Sequence, residues 1–270
     1  MSYNLTKPPL QLAPYIKQYW SIENTLGAGE SHVQRIVPTG LIELSFYLAD
    51  HPKTEASNRC FKGNSLISGQ QESYFDLQTC GKLDLFSVTF QPQAARLFFD
   101  LPITELYNQT IPLEYLGKET FSQIESELYA AKTFPQKVTV MNRFLSERLK
   151  QNFHQNSLGR LSSVFSLINN LKGQVTIDVL ARQACLSRKQ FERVFASGVG
   201  VSPKRFLRIV RFQNALHQRQ LNQKIRLTNL AYDCGYFDQP HMINDFKLLS
   251  GMSPGEYFSK CCPESDYFQS

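Results

Sequence analysis

The feature that most constrains this chain is its likeness to itself. Leu180-Ala181 recurs as Leu230-Ala231, Ala184 as Cys234, Phe195 as Phe246, Gly200 as Gly251, Ser202-Pro203 as Ser253-Pro254 and Phe206 as Tyr257. The offset is 50 residues early and 51 later, with one residue inserted near Tyr236-Phe237. Self-similarity at a fixed offset reports architecture that local propensity does not, because both copies must build one supersecondary unit.

Each copy reads as helix, tight turn, helix. In the first, Thr176 is placed to cap a helix with Asp178 in its opening turn, and Ile177, Leu180, Ala181 and Ala184 follow helical spacing. Ser187 then caps a second helix that buries Phe191, Val194 and Phe195 and ends near Gly198 and Gly200. In the second copy Thr228 and Leu230-Ala231 open the first helix and Gly235 makes the turn. Asp238 caps the helix carrying Met242 and Phe246, with Pro240 in the first turn, where a missing N–H costs little. Helix, turn, helix is a layout in which the second helix of each pair offers its N-terminal residues to the DNA major groove.

Between the copies, Pro203 to Gln220 carries Phe206, Leu207, Ile209, Val210, Phe212 and Leu216 with no internal glycine or proline, so a single stiff helix is expected. At 1.5 Å per residue it spans roughly 27 Å, compatible with two reading helices entering successive grooves about 34 Å apart. An earlier amphipathic helix with Leu158, Leu161, Val164, Phe165, Ile168 and Leu171 is expected to pack on the first copy.

Charge follows the repeat. Residues 1–155 hold 14 Lys and Arg against 15 Asp and Glu, whereas residues 156–262 hold 15 against 6, within a chain of net charge +6. A basic half is the footprint of a polyanionic partner. No run of about 18 apolar residues occurs, so no membrane-spanning helix is expected. The start lacks the basic-then-apolar pattern of a secretory signal, and the cytoplasm is the expected compartment. The six cysteines (Cys60, Cys80, Cys185, Cys234, Cys261, Cys262) show no C-x-x-C spacing, so neither a zinc site nor a disulfide framework is indicated. Cys185 and Cys234 are expected to be buried, small and helix-facing; vicinal Cys261 and Cys262 are the candidates for an oxidant response.

The strings "LARQACLSRKQFERVFASGVGVSPKRFLRIVRFQNAL" and "LAYDCGYFDQPHMINDFKLLSGMSPGEYF" resemble the AraC/XylS-type DNA-binding domain over about Leu158 to Phe258. The resemblance implies a seven-helix domain that recognises promoter DNA, most often in an activator.

On the first reading helix the outward positions are Arg188, Lys189, Gln190, Glu192 and Arg193. Arg binds guanine O6 and N7 in a bidentate way and Gln does the same for adenine, so Arg193, Lys189 and Gln190 are the base-reading candidates, with Glu192 free to meet cytosine or a neighbouring cation. On the second helix the resemblance points to Gln239, Pro240, Ile243 and Asn244, with His241 adjacent; relatives commonly carry a cation near Asn244. Gln239 and Asn244 suit adenine and Ile243 a thymine methyl. Phosphate anchoring is assigned to Lys204, Arg205, Arg208 and Arg211 of the connecting helix and to Lys247.

The first half changes grammar. Short β-rich runs (Tyr15 to Glu23, His32 to Val37, Leu41 to Leu48, Ser73 to Thr79, Leu83 to Phe90) alternate with turns, and helices follow from near Gln93, including Phe121 to Ala131 and Gln136 to Gln151. The last has an apolar stripe of Val138, Met141, Phe144, Leu145 and Leu149 that must bury itself in its own barrel or in a partner subunit. This half resembles the small β-barrel sensor domain that often precedes an AraC-type domain, and "RIVPTGLIELSFYL" is similar to the Arg-x-x-Pro-x-Gly-x-x-Glu-Leu pattern of one such group. A barrel mouth suits a small molecule. Trp20, Arg35, Glu43, Phe46 and Phe90 are its candidate lining, although Arg35 and Glu43 can equally form an ion pair and the aromatics can fill the core.

The expected fold is therefore α+β: a β-barrel-like sensory and dimerising domain with helices (1–155), an all-α domain of two helix-turn-helix units joined by a linker helix (156–262), and a tail (263–270). The expected function is sequence-specific regulation of transcription rather than catalysis, with promoter DNA as partner and no cofactor. A small-molecule effector, RNA polymerase and a second copy of the chain are further partners that this reading allows. A metal-dependent cupin-type enzyme is the rival class. It finds only His32, His51 and His154 in the first half, without H-x-H spacing. A methyl-accepting DNA-repair regulator would need four clustered cysteines where this half has Cys60 and Cys80.

Overall fold

The computed structural model describes residues 2–54, 63–99, 101–116, 118–151, 158–261 and 267–268. Cys60, Cys262, His154, the polar connection at 152–157 and most of the tail lie outside the described residues. The chain divides into two units. The first comprises Met1–Gln34, Leu41–Gly69 and Phe75–Ser157; the second comprises Arg35–Gly40, Gln70–Tyr74 and Leu158–Ser270. No helix of the described residues is long and apolar enough to cross a membrane.

The first unit is sheet-rich. Strands β1 (Ser2–Thr6), β2 (Ile16–Thr25), β4 (Ile42–Tyr47), β5 (Ser65–Ser68), β7 (Lys82–Phe90) and β8 (Thr110–Pro112) form one sheet in the order β1-β2-β7-β4-β5-β8. A second sheet pairs β3 (Ser31–Ile36) with β6 (Phe75–Cys80). The β2–β7 and β4–β7 registers place Tyr19, Phe86 and Phe46 on one face and Trp20, Ser87 and Ser45 on the other, as alternation along a strand requires. The first face is closed by α1 (Lys118–Ala130) and α2 (Phe134–Gln151). The Tyr19 hydroxyl donates to Asn142 Oδ1 at 2.8 Å, and Phe134 meets Phe86 edge-on at 6.0 Å. The α2 stripe buries itself within its own unit: Met141 and Leu145 are inaccessible, and Val138, Phe144 and Leu149 are half-buried. Lys137 joins that buried face because its ammonium reaches Asp84 Oδ1 at 2.9 Å, the pairing that a buried cation needs.

The second unit contains seven helices among the described residues: α3 (Leu158–Asn170), α4 (Ile177–Gln183), α5 (Arg188–Val199), α6 (Pro203–Leu221), α7 (Leu227–Asp233), α8 (Gln239–Ser250) and α9 (Pro254–Lys260). Thr176, Ser187, Ser202, Asp238 and Ser253 cap their helices through the side chain, each replacement by Ala costing about 1 kcal/mol. Each copy has an aromatic centre, Phe165, Phe191 and Phe195 in the first, Phe246, Tyr257 and Phe258 in the second. Helix α6 joins them, giving Phe206 to one and Phe212 to the other. Two short segments distant in sequence complete this unit. Gly40, at φ +79°, a conformation that strains any side chain, packs within contact distance of Phe206 and Ile209, and Gln213, wholly buried on α6, donates to Pro38 O at 2.8 Å.

One expectation about the turns is corrected. Cys234 is buried, and burial, reinforced by Asp233, pushes its thiol up to about 12, as suits an inert small hydrophobe. Cys185 is instead exposed and sits at φ +54°, in the left-handed region. It occupies the sharp bend between α4 and α5, the place that Gly235 fills between α7 and α8 at φ +74°. The repeat pairs the two positions at offset 50, and chain direction in the bend, not hydrophobicity, decides the exposure.

Candidate nucleic-acid interface

Helix α5 hides Phe191, Phe195 and Val199 and turns Arg188, Lys189, Gln190 and Arg193 outward. These four are not equivalent. Gln190 closes the capping box: its Oε1 accepts from the Ser187 backbone N–H at 3.2 Å, so part of its amide is engaged in starting the helix. Arg188 lies between Glu192 (3.2 Å) and Asp178 (3.5 Å). Lys189 and Arg193 have no ion-pair partner among the described residues, and both are exposed.

Helix α8 is built the same way with different tools. Met242, Asp245, Phe246 and Leu249 face inward, while Pro240, Asn244 and Lys247 are exposed and Gln239, His241 and Ile243 half-buried. Gln239 Oε1 accepts the Thr228 hydroxyl at 2.7 Å, and His241 Nδ1 takes the Phe237 N–H at 3.4 Å with its ring edge-on to Tyr236.

Asp245 is the residue that sequence reasoning missed. Its carboxylate is 6% exposed and meets Arg208 Nε at 3.1 Å and Arg211 Nη2 at 3.9 Å. Burial raises its pKa above the ordinary carboxylate value, against the opposing pull of the two guanidiniums. Arg211 also lies over the Tyr236 ring at 5.5 Å. Two of the four linker cations thus brace α8 on α6. A third, Arg205, pairs with Glu72 at 2.5 Å, and Lys204 is exposed. The only sequence signal for Asp245 is a charge at a position whose first-copy counterpart is Val194.

Within this unit, Arg188, Lys204, Arg208, Arg211 and His241 line a cleft of about 580 Å³ whose floor includes Ile177 and Leu207. Both reading helices send a residue into its wall, Arg188 from α5 and His241 from α8. An exposed helix N-terminus beside a basic cleft is a geometry that accepts phosphate oxygens.

The effector-site candidates do not gather as one set. In the first unit the Trp20 indole N–H donates to Glu43 Oε1 at 2.7 Å, and the Ser87 hydroxyl, itself 2.9 Å from Ser45 Oγ, donates to the same oxygen at 2.8 Å. Phe46 and Phe90 lie on the opposite, core face, 1% and 0% exposed. Arg35 belongs to the second unit, where its guanidinium stacks 4.2 Å over Tyr74 and donates to Ser250 O, the last residue of α8. Among the described residues no three His, Cys, Asp or Glu side chains gather as a metal ion would require.

Fold and site together define a protein with a sheet-rich N-terminal unit and a tandem helix-turn-helix unit. Residues 180–260 match the family described as a helix-turn-helix domain, and residues 5–112 match a domain of unknown function, DUF6597. An uncharacterised HTH-type transcriptional regulator of Haemophilus influenzae is 31% identical over 96 residues, 36% of this chain and 32% of that protein. The HTH-type transcriptional activator RhaS of Escherichia coli is 30% identical over 101 residues, 37% of this chain and 36% of that one. The chain therefore spans about a third of the length of these relatives. The solved structure of ToxT from Vibrio cholerae has a TM-score of 0.48 and 11% identity, covering 89% of this chain and 97% of its own. The C-terminal part of the chain is a helix-turn-helix domain.

Proposed function

We propose that the protein is a sequence-specific DNA-binding transcription regulator. The observation that carries this reading is the pair Lys189 and Arg193, exposed and without ion-pair partners among the described residues, on a reading helix that borders a basic cleft. A fork-shaped donor such as Arg193, which loses its water on entering the groove, discriminates bases, whereas Lys204 and Lys247 meet phosphates and hold register. Arg208 acts first through Asp245, as a brace, and reaches DNA from that position. Nothing catalytic is assigned to the chain.

The polar sheet face carrying Trp20, Glu43, Ser45 and Ser87 is the proposed effector face of the first unit, Phe46 and Phe90 serving as its core support. A ligand there shifts promoter occupancy only to the extent that it binds two states unequally. Pairing of two chains and contact with RNA polymerase complete the proposal. Selection of duplexes from a random pool by the full chain, followed by titration at several salt concentrations, tests it. Enrichment of a motif and a steep fall of affinity with salt are expected; no enriched motif and no duplex binding at low salt would overturn it.

A further inference from the structure

The two reading helices align at an offset of 51, and the alignment shows a change in chemistry. Lys189 is replaced by Pro240, Glu192 by Ile243 and Arg193 by Asn244, and the residue inserted in the second turn is Phe237. Phe237 is 85% exposed, immediately before the cap Asp238. Pro240, exposed, and Ile243, half-buried, are three residues apart and adjacent on the outer side of α8, whereas Met242 and Phe246 are fully buried. The polar groups that compete for the same groove are partly engaged, Gln239 with Thr228 and His241 with the Phe237 N–H, and the first cation along this face is Lys247.

We propose that the second reading head recognises the 5-methyl groups of thymine through Phe237, Pro240 and Ile243, with Asn244 pairing to an adjacent adenine. This rests on the DNA-binding reading above and deepens it. The thymine methyl is the one apolar group that the base edges present in the major groove. An apolar edge on a reading helix finds its complement there and nowhere else on the groove floor. Duplex DNA is the occupant because residues 156–262 carry a net charge of +9 and the adjoining cleft is lined by Arg188, Lys204, Arg208 and Arg211. The first head, with Lys189 and Arg193, reads by charged donors, so the two half-sites differ in kind.

The test uses the full chain and the duplex selected from the random pool. The half-site under the first head is the one where Arg193→Ala relaxes base preference. Thymine is then replaced by uracil, which pairs identically but lacks the methyl, in one half-site at a time. Replacement under the second head is expected to weaken binding about three- to fourfold per contacted methyl, and replacement under the first head to leave it unchanged. In Phe237→Ser and Ile243→Ala, thymine and uracil duplexes should bind alike; Phe237 is exposed and Ile243 half-buried, and unchanged melting temperatures would verify folding. Equal binding of the two duplexes by the unaltered chain, or a uracil penalty that persists in both variants, overturns the proposal while leaving the regulator reading intact. Failure to bind any duplex removes both.

Discussion

The two helix-turn-helix copies share a skeleton and diverge at three places, each with a different physical meaning. The skeleton is the set of caps and glycines: Ser187 and Asp238 start the reading helices, and Gly200 and Gly251 end them in the left-handed conformation. At the turn, the first copy carries Cys185 where the second has Gly235. At the inner face, the first has Val194 where the second has Asp245, held by Arg208 and Arg211. At the outer face, Lys189, Glu192 and Arg193 give way to Pro240, Ile243 and Asn244. Backbone geometry is thus kept by whatever residue tolerates it, while both faces of the reading helix are free to change chemistry. The second copy adds a charged tie to α6 beside its Phe212–Phe246 contact, where the first packs Phe195 on Phe206.

That contrast breaks most visibly at Asp245. Removing it by Asp245→Ala leaves two largely buried guanidiniums facing a gap and is expected to cost about 2–3 kcal/mol, less than a fully buried pair because Arg208 and Arg211 retain some water. Val194→Ala should cost about 1 kcal/mol. Urea unfolding of both variants checks the pair, and equal losses would show that charge does no more for the second copy than packing does for the first. The same carboxyl predicts a pH trend. With its folded pKa raised, the native chain holds that proton more tightly than the unfolded one. Its contribution is full below the ordinary carboxyl range and falls as pH rises through the raised value. Asp245→Asn should flatten that decline, measured as melting temperature against pH.

At the outer face, Arg193→Ala is expected to weaken specific binding by about 1–3 kcal/mol and change base preference, and Asn244→Ala to weaken it by about 1 kcal/mol at the other half-site. Fluorescence anisotropy on selected and scrambled duplexes separates the two, and equal loss on both duplexes in the Arg193 variant would defeat its base-reading role. At the turns the effects fall on stability alone. Gly235→Ala forces a side chain into the left-handed region and to 2.5 Å from Gln174 Cγ, for a loss of about 1–2 kcal/mol. Cys185→Gly relieves the same strain and should raise stability by about 0.5–1 kcal/mol despite the added unfolded-state freedom. Thermal denaturation reads both, and a destabilised Cys185 variant would show that the thiol holds its turn in some other way.

The parts of this design that follow local rules were readable before any coordinates. The caps Thr176, Ser187 and Asp238, the glycine turn and the apolar stripes of α5 and α6 are short-range, and the repeat supplied two samples of each. Strands β1, β5 and β8 escape such a reading because they are three to five residues long, too short to show a period, and β5 and β8 pair with each other from distant parts of the chain. Cys185 misled because composition speaks of burial while a left-handed bend speaks of direction. The cations of α6 are legible as a group, but their division between Asp245, Glu72 and solvent depends on packing between segments that no spacing encodes. The same holds for Phe46 and Phe90: one-residue alternation places them opposite Trp20, and only the pairing register says which face is core.

The Arg35–Gly40 segment changes what an excised domain would be. A fragment trimmed to begin at Leu158 carries all seven helices yet discards the carbonyl of Pro38 that the interior amide of Gln213 donates to, and the guanidinium that meets the final carbonyl of α8. Losing a partner for an interior polar group costs about 1–3 kcal/mol, a large share of the margin of a small domain. Anyone dissecting this protein should add the Arg-x-x-Pro-x-Gly stretch back in trans, or graft it, before interpreting a sluggish or insoluble fragment as a property of its helices.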